Sequence, residues 1–307
     1  MIYGLAAYLL WGAFPAYFPL LKPASPLEIM AHRIVWTCVV MAVVVVATKQ
    51  APALRRMSLR TWGWVSAAGV LIAANWVIYV LAVNTGHVAE AALGYFMNPL
   101  VAVMLGMVVL HERLRPAQQL SVGIATVAVL IMAIVGGNPP WIGLGLAFSF
   151  ALYGLLKKQV KLPATVGLFA ETLVLTPVAL LYIVHLERSG AGTLVDHGQA
   201  HFWLLLSTGI VTAVPLLLFG LGAQRIPLST IGMMQYMTPS MQMLWAVFVM
   251  GEQLTFIRWC GFIIIWISIA IYLADLTRAH RLRQRQLRLQ EKVPSSRRFE
   301  ANPTVED

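Results

Sequence analysis

Charge is what this sequence has least of. Asp, Glu, Lys and Arg make up only 11% of its 307 residues, against about 25% in a typical soluble domain. With 59% hydrophobic residues and a mean hydropathy of +0.77, the chain lacks the polar residues to surround a water-soluble core. Acidic residues are scarcer than basic ones, 12 against 22, which leaves a formal charge of +10. Cysteine is nearly missing: Cys38 and Cys260 each lie in an apolar run, where a free thiol behaves as a small hydrophobe, so neither implies a disulfide or a metal. No G-x-x-x-x-G-K-[ST] stretch occurs, which removes support for an ATP-driven pump. No Ser/His/Asp set or pair of carboxylates with a nucleophile can be assembled at one depth, so the chain does not read as an enzyme. Met1 opens into an apolar run without a basic n-region or a small-residue cleavage pattern, unlike a cleavable signal peptide.

What the sequence does have is long apolar runs bounded by charge, Pro or Gly. They predict ten membrane-spanning helices, near 2–21, 28–48, 62–82, 88–110, 117–135, 141–156, 165–186, 202–222, 227–250 and 256–275. The stretch VAEAALGYFMNPLVAVMLGMVVLHE (88–112) overlays LSTIGMMQYMTPSMQMLWAVFVMGE (228–252) at an offset of 140 without a gap. Pro99 then meets Pro239, Glu112 meets Glu252, and Phe96 meets Tyr236. The chain therefore reads as a duplication. Gly145-Leu-Ala and Tyr153-Gly154 echo Gly4-Leu-Ala and Trp11-Gly12 more loosely. Five spans per half is an odd number, so the second half enters the membrane from the opposite side. The expectation is an all-α integral membrane fold of two inverted repeats, residues 1–137 and 138–277, followed by a basic cytoplasmic tail, 278–307.

The basic residues set the orientation. With the N-terminus inside, eighteen of the 22 face the cytoplasm: Lys49, Arg55, Arg56, Arg60, Arg113, Arg115, Lys157, Lys158, Lys161 and Arg225 in loops, with Arg278, Arg281, Arg283, Arg285, Arg288, Lys292, Arg297 and Arg298 in the tail. Only Lys22 and Arg188 face outward, and Arg33 and Arg258 lie at or within spans. This placement between and after apolar runs explains the positive charge without nucleic acid, which needs basic residues on one solvated face. The tail also suits anionic lipid headgroups, and past Pro294 its Ser-rich end reads as disordered.

Polar groups in hydrocarbon are expensive and mark candidate sites. Asn75 and Asn98 fall about 13 and ten residues into their spans, near mid-membrane at about 1.5 Å per residue. Gln235 and Tyr236 precede Pro239 in the matching span. With Trp11, Tyr95 and Tyr153 they form the expected substrate cavity. Tyr17, Trp76, Tyr79 and Phe148 are further aromatic candidates that also suit packing or the interfacial belt. A structural repair of the Pro99 kink by Asn98 is an equal alternative. Glu28, His32, Arg33 and Glu90 lie near the outer end and predict an outer gate built on a Glu28–Arg33–Glu90 network; shallow placement in headgroup water is the alternative. Glu28 and His32 have the i, i+4 spacing of metal ligands, but no third ligand accompanies them. Glu171 has no cation from a neighbouring span at its depth. An unpaired carboxylate in a low-dielectric bundle is disfavoured in its charged form, which makes Glu171 a candidate proton-coupling site; a fixed, protonated bond to Thr172 or backbone is the bland alternative. Glu112 and Glu252 are expected to cap the helix that follows each of them. Gly94, Pro99, Gly106, Pro215 and Pro239 are the candidate hinges.

The segments AYLLWGAFPAYF (7–18), PLEIMAHRIVW (26–36), NWVIYVLAVN (75–84), EAALGYFMNPLVAVMLGMVVLHERL (90–114) and GLAFSFALYGLLKK (145–158) resemble the EamA family of the drug/metabolite transporter superfamily. EIMAHR together with LGYFMNP resembles its RarD-type permeases. The resemblance implies ten helices in two inverted repeats, a bacterial inner-membrane location and export of small organic molecules. The expected function is thus secondary transport by alternating access, with a membrane-embedded scaffold or sensor as the alternative. A small-molecule substrate and membrane lipid are the partners implied; no cofactor is, and homodimer formation is left open.

Overall fold

The computed structural model describes residues 1–135, 141–251, 253 and 255–291. Among the described residues the fold is helical, with no strand. The helices are α1 (Ile2–Gly12), α2 (Phe14–Tyr17), α3 (Pro26–Ala47), α4 (Ala51–Arg55), α5 (Leu59–Asn84), α6 (Val88–Val108), α7 (Pro116–Val135), α8 (Trp141–Gln159), α9 (Ala164–Arg188), α10 (Gly198–Arg225), α11 (Leu228–Met234), α12 (Met237–Phe248) and α13 (Phe256–Glu291), with a 3₁₀ turn at Phe18–Leu21. Among the described residues, eight helical stretches are long and apolar enough to cross a membrane. The other two expected spans differ for local reasons. α8 carries Lys157 and Lys158 in its last turn, while 228–248 is divided into two short helices at Gln235 and Tyr236.

Proline placement explains the breaks. Pro15 stands at the start of α2, just after Ala13 ends α1, and Pro19 stands in the 3₁₀ turn. Pro239 has no N–H for the carbonyl four residues back, and the chain there tightens to i→i+3 bonds, Gln235 N–H to Gly232 O and Thr238 N–H to Gln235 O. Pro99 behaves differently: α6 runs through it unbroken, as α10 runs through Pro215. The two overlaid segments are therefore alike in sequence and unlike in backbone.

Lipid offers no hydrophobic drive between helices, so close backbone approach and polar contacts hold the bundle. At Gly209 a Cβ would lie 2.5 Å from the Trp36 carbonyl carbon, where α10 crosses α3. At Gly69 it would lie 3.0 Å from Glu171 O, where α5 crosses α9. Gly94 lies against Gly143, and Gly106 against the Glu112 carboxylate. These two expected hinges are tight crossing points rather than loose joints. α7 and α13 are joined by a reciprocal pair, Ser121 Oγ to Ser268 O and Ser268 Oγ to Ser121 O, each 2.7 Å. The main core draws Tyr8, Met41, Ala68, Tyr153, Leu168, Phe219 and Leu228 together from seven helices, while Val43, Val46, Leu181 and Phe248 face outward.

Candidate functional site

Two polar–aromatic centres stand inside this bundle. The first lies between α1, α8, α9 and α10. Tyr153 stacks on Phe219 (5.8 Å between ring centres, 13° between planes), and Trp11 packs on Phe219 and Phe150 at 5.7 Å each. The expected cavity residues Trp11 and Tyr153 are thus brought to one aromatic cluster. Below it, Glu171 is bonded on both oxygens: Lys157 Nζ donates at 2.7 Å and Tyr153 OH at 3.2 Å. Both charged side chains are 4% exposed or less. The expectation that Glu171 stands alone is corrected here. Lys157 reads as a loop lysine because it adjoins Lys158, yet α8 continues to Gln159 and turns Lys157 inward, one turn beyond Tyr153. The Thr172 hydroxyl bonds Leu168 O and Phe169 O instead of Glu171.

The second centre surrounds Arg33 on α3. Its guanidinium carbon lies 4.2 Å from the Trp76 ring centre, 5.4 Å from Phe18 and 5.9 Å from Phe14. Its Nε donates to Thr212 Oγ1 of α10 at 2.9 Å. Tyr95, paired edge-on with Tyr79 at 5.7 Å, and Tyr17 are near enough to feel its charge. Arg33, Phe14, Phe18, Trp76 and Tyr95 all keep some accessible surface.

The Glu28–Arg33–Glu90 network is not formed, a second correction. Glu28 closes a capping box with Ser25, and its other oxygen accepts from Thr193 N–H at 2.6 Å and Thr193 Oγ1 at 2.9 Å; that hydroxyl also meets His201 Nε2 at 2.8 Å. A carboxylate committed to a helix start and a loop has no reach left for an arginine further along α3. His32 Nδ1 accepts from Trp36 Nε1 at 3.2 Å. Glu90 is half-buried in the first turn of α6 and makes no ion pair or hydrogen bond among the described residues.

The remaining cavity candidates divide. Asn75 is used structurally, its amide donating to Leu146 O and Ser149 Oγ at 2.9 Å each. Asn98 is 1% exposed; among the described residues its Oδ1 has no partner and its amide nitrogen donates to no freed carbonyl, so it does not repair the break in bonding at Pro99. Tyr236, at the break before α12, and Tyr8 have buried hydroxyls without partners. Gln235 is buried beside that break. Tyr79 and Phe148 are each 39% exposed, Tyr79 packing edge-on against Tyr95. Glu112 does accept from a helix start, but not the one that follows it: its carboxylate binds Leu228 N–H (2.6 Å) and Ser229 N–H (2.9 Å) at the start of α11. Glu252 and the tail beyond Glu291 lie outside the described residues. Thr193, Thr212 and Lys157 are site residues that sequence reasoning misses. Only Lys157 left a signal, its i, i+4 spacing from Tyr153.

Comparison with known proteins identifies the family. The model of the EamA-like transporter family matches residues 1–134 and 140–274. Protein RarD of Streptomyces exfoliatus is 43% identical, covering 96% of this chain and 94% of that protein. Uncharacterized transporter YojE of Bacillus subtilis is 40% identical, covering 89% and 92%. A crystal structure described only as that of a protein superposes with a TM-score of 0.69 at 17% identity, covering 88% of this chain and 95% of its own, which shows a shared fold. With eight helices fit to cross a membrane and bacterial relatives along nearly its whole length, the chain is a multi-pass membrane transporter belonging to the EamA family, in its RarD-type branch.

Proposed function

We propose that this transporter moves small organic molecules across the bacterial inner membrane by alternating access between two inverted five-helix halves. The observation that carries the reading is that the helix packing maps onto itself when the halves are exchanged. Counting α1 with α2 as the first span and α11 with α12 as the ninth, α3 on α10 corresponds to α9 on α5, and α6 on α8 corresponds to α1 on α12. Likewise α5 on α8 corresponds to α10 on α1, while α7 on α13, α3 on α9 and α6 on α11 correspond to themselves. Gly69 and Gly209, 140 residues apart, occupy matching crossings, and the family model fits each half. Such a pseudo-two-fold bundle places its site between the halves.

One correspondence fails in a useful way. α8 packs along α10 at Tyr153 and Phe219, whereas α1 and α5 are not closely packed among the described residues. With both termini cytoplasmic, as the basic loops favour, the Lys157–Glu171–Tyr153 cluster is the inner gate, and the Arg33 cluster lies toward the outside. Lys157 then belongs to the gate and drops out of the loop tally. Glu171 couples protons by exchanging Lys157 for a proton as the gate opens, and export is the direction implied by the family resemblance. Gln235, Tyr236 and Asn98 line the moving junction, with Pro99, Pro215 and Pro239 as its flexing points.

Two fusions and one flux assay test this. A cytoplasm-active reporter after Arg298 is expected to be active and one in the loop 189–199 inactive; the reverse pattern sinks the inverted arrangement. In proteoliposomes the purified protein is expected to catalyse saturable counterflow exchange of a solute from a panel of metabolites and antibiotics. Accumulation driven by a pH gradient should be lost in Glu171→Gln while exchange remains. Gradient-driven accumulation that persists in Glu171→Gln removes Glu171 from the coupling role.

A further inference from the structure

From the aromatic cluster around Arg33 we infer that the transported molecules are organic anions with a flat apolar body, bound through their carboxylate or an equivalent oxyanion by the Arg33 guanidinium. The inference rests on the transport reading and names its substrate class.

The argument begins with what a charge inside a membrane bundle requires. An arginine there is normally met by a carboxylate. The three ion pairs among the described residues are Arg115–Asp275, Lys157–Glu171 and Lys158–Glu112, so none of the described carboxylates lies within 4.0 Å of the Arg33 nitrogens. The nearest acids in sequence are committed or apart: Glu28 to Thr193 and Ser25, and Glu90 to the first turn of α6. Of the five N–H donors of a guanidinium only Nε is used, by Thr212. The ring faces of Trp76, Phe18 and Phe14 hold the cation. A π face neutralises nothing, however, and occupies no N–H donor. The two terminal nitrogens therefore keep a fork of parallel donors, the geometry that binds carboxylate or phosphate on two oxygens.

The walls fix the rest of the molecule. Phe14, Phe18, Trp76 and Tyr95 are half-buried and so keep part of their surface uncovered. They offer stacking area for an aromatic or other flat body beside the anion. An organic cation is opposed by Arg33 itself, and a neutral solute leaves the fork unmatched. Thr212 comes from α10, while Arg33 and its aromatic neighbours come from α2, the 3₁₀ turn after it, α3, α5 and α6. An anion on the fork thus binds an arginine that Thr212 of the other proposed half holds at Nε, so that binding is sensed by both halves, as a carrier requires.

The test uses the full chain purified in lipid nanodiscs, with benzoate and indole-3-acetate as anionic probes. Benzamide and benzylamine serve as neutral and cationic counterparts. Binding is read by quenching of tryptophan fluorescence and by the shift in thermal midpoint. Wild type is expected to bind the carboxylates at least about 10-fold more tightly than either counterpart. Arg33→Gln should lose that preference, and Arg33→Lys, which keeps the charge without the fork, should recover part of it. If Arg33→Gln fails to fold, Thr212→Val and Trp76→Phe serve instead, since each perturbs the guanidinium without removing it and should weaken only the carboxylates. Equal affinity for all four probes, or a carboxylate preference intact in Arg33→Gln, overturns the inference. Failure of the transport reading looks different: carboxylates bind selectively, but no solute exchanges in proteoliposomes. Exchange of neutral or cationic solutes without carboxylates overturns the anion assignment alone.

Discussion

Removing one partner of the Lys157–Glu171 pair is expected to damage the protein more than removing both. The two side chains are 4% and 3% exposed and 2.7 Å apart, so solvent screening takes little from their attraction. Either charge alone is stranded in a medium that cannot solvate it. Stranding one member of a buried pair costs about 3–5 kcal/mol, whereas an apolar pair of similar volume is often neutral or better. Lys157→Met and Glu171→Met are each expected to lower the thermal midpoint by roughly 6 °C or more, taking about 2 °C per kcal/mol for a chain of this size. The double variant should lie within about 1 kcal/mol of wild type, the remaining deficit being the Tyr153 hydroxyl, which loses its acceptor. The cycle then yields a coupling of about 5 kcal/mol or more. The assay is a fluorescence melt of all four proteins in one detergent at one scan rate. The Arg115–Asp275 pair, with Arg115 43% exposed, serves as the control, for which about 0–1 kcal/mol is expected. Single variants that melt with wild type, or a double variant that falls by the sum of the singles, refute the account of a buried, mutually dependent pair.

Three further outcomes follow from other contacts. Glu112→Ala leaves the Leu228 and Ser229 N–H groups at the start of α11 without their acceptor; the expected loss is about 1–2 kcal/mol in the same melt, and an unchanged midpoint removes the cap. Gly209→Ala puts a methyl carbon 2.5 Å from the Trp36 carbonyl carbon, so α10 and α3 must separate and the yield of folded protein should fall sharply, while Gly63→Ala, which meets nothing within 4 Å, should fold normally. Asn98→Leu removes an amide whose Oδ1 bonds nothing, so folding should survive while counterflow falls; full exchange at normal expression returns Asn98 to a packing role.

Much of the fold was legible because apolar runs in a membrane need no amphipathic pattern to be seen, only length and punctuation. The ten expected runs each correspond to a helix or a pair of helices, and the structure adds Gly69 and Gly209, also 140 residues apart, each at a close helix crossing. Less legible was where a punctuating residue ends up. Lys157 and Lys158 are adjacent and chemically identical, and sequence assigns both to a cytoplasmic loop. On a helix, neighbours point about 100° apart, so only one turns toward the bundle. Lys158 reaches the Ile226 carbonyl at the rim, while Lys157 enters the core and meets Glu171 fourteen residues on. The same limit hid the fate of Arg33. Its depth was readable, but its neighbours Phe14, Phe18, Trp76 and Thr212 come from four separate elements, and no spacing along the chain brings them together. Sequence therefore favoured the acids close to Arg33 in the chain, Glu28 above all. That choice failed because Glu28 is the third residue of α3 after its Ser25 cap, where backbone N–H groups already compete for a carboxylate. The capping box was itself readable as Ser-x-x-Glu, and reading it first would have taken Glu28 out of the gate and left Arg33 without its acid.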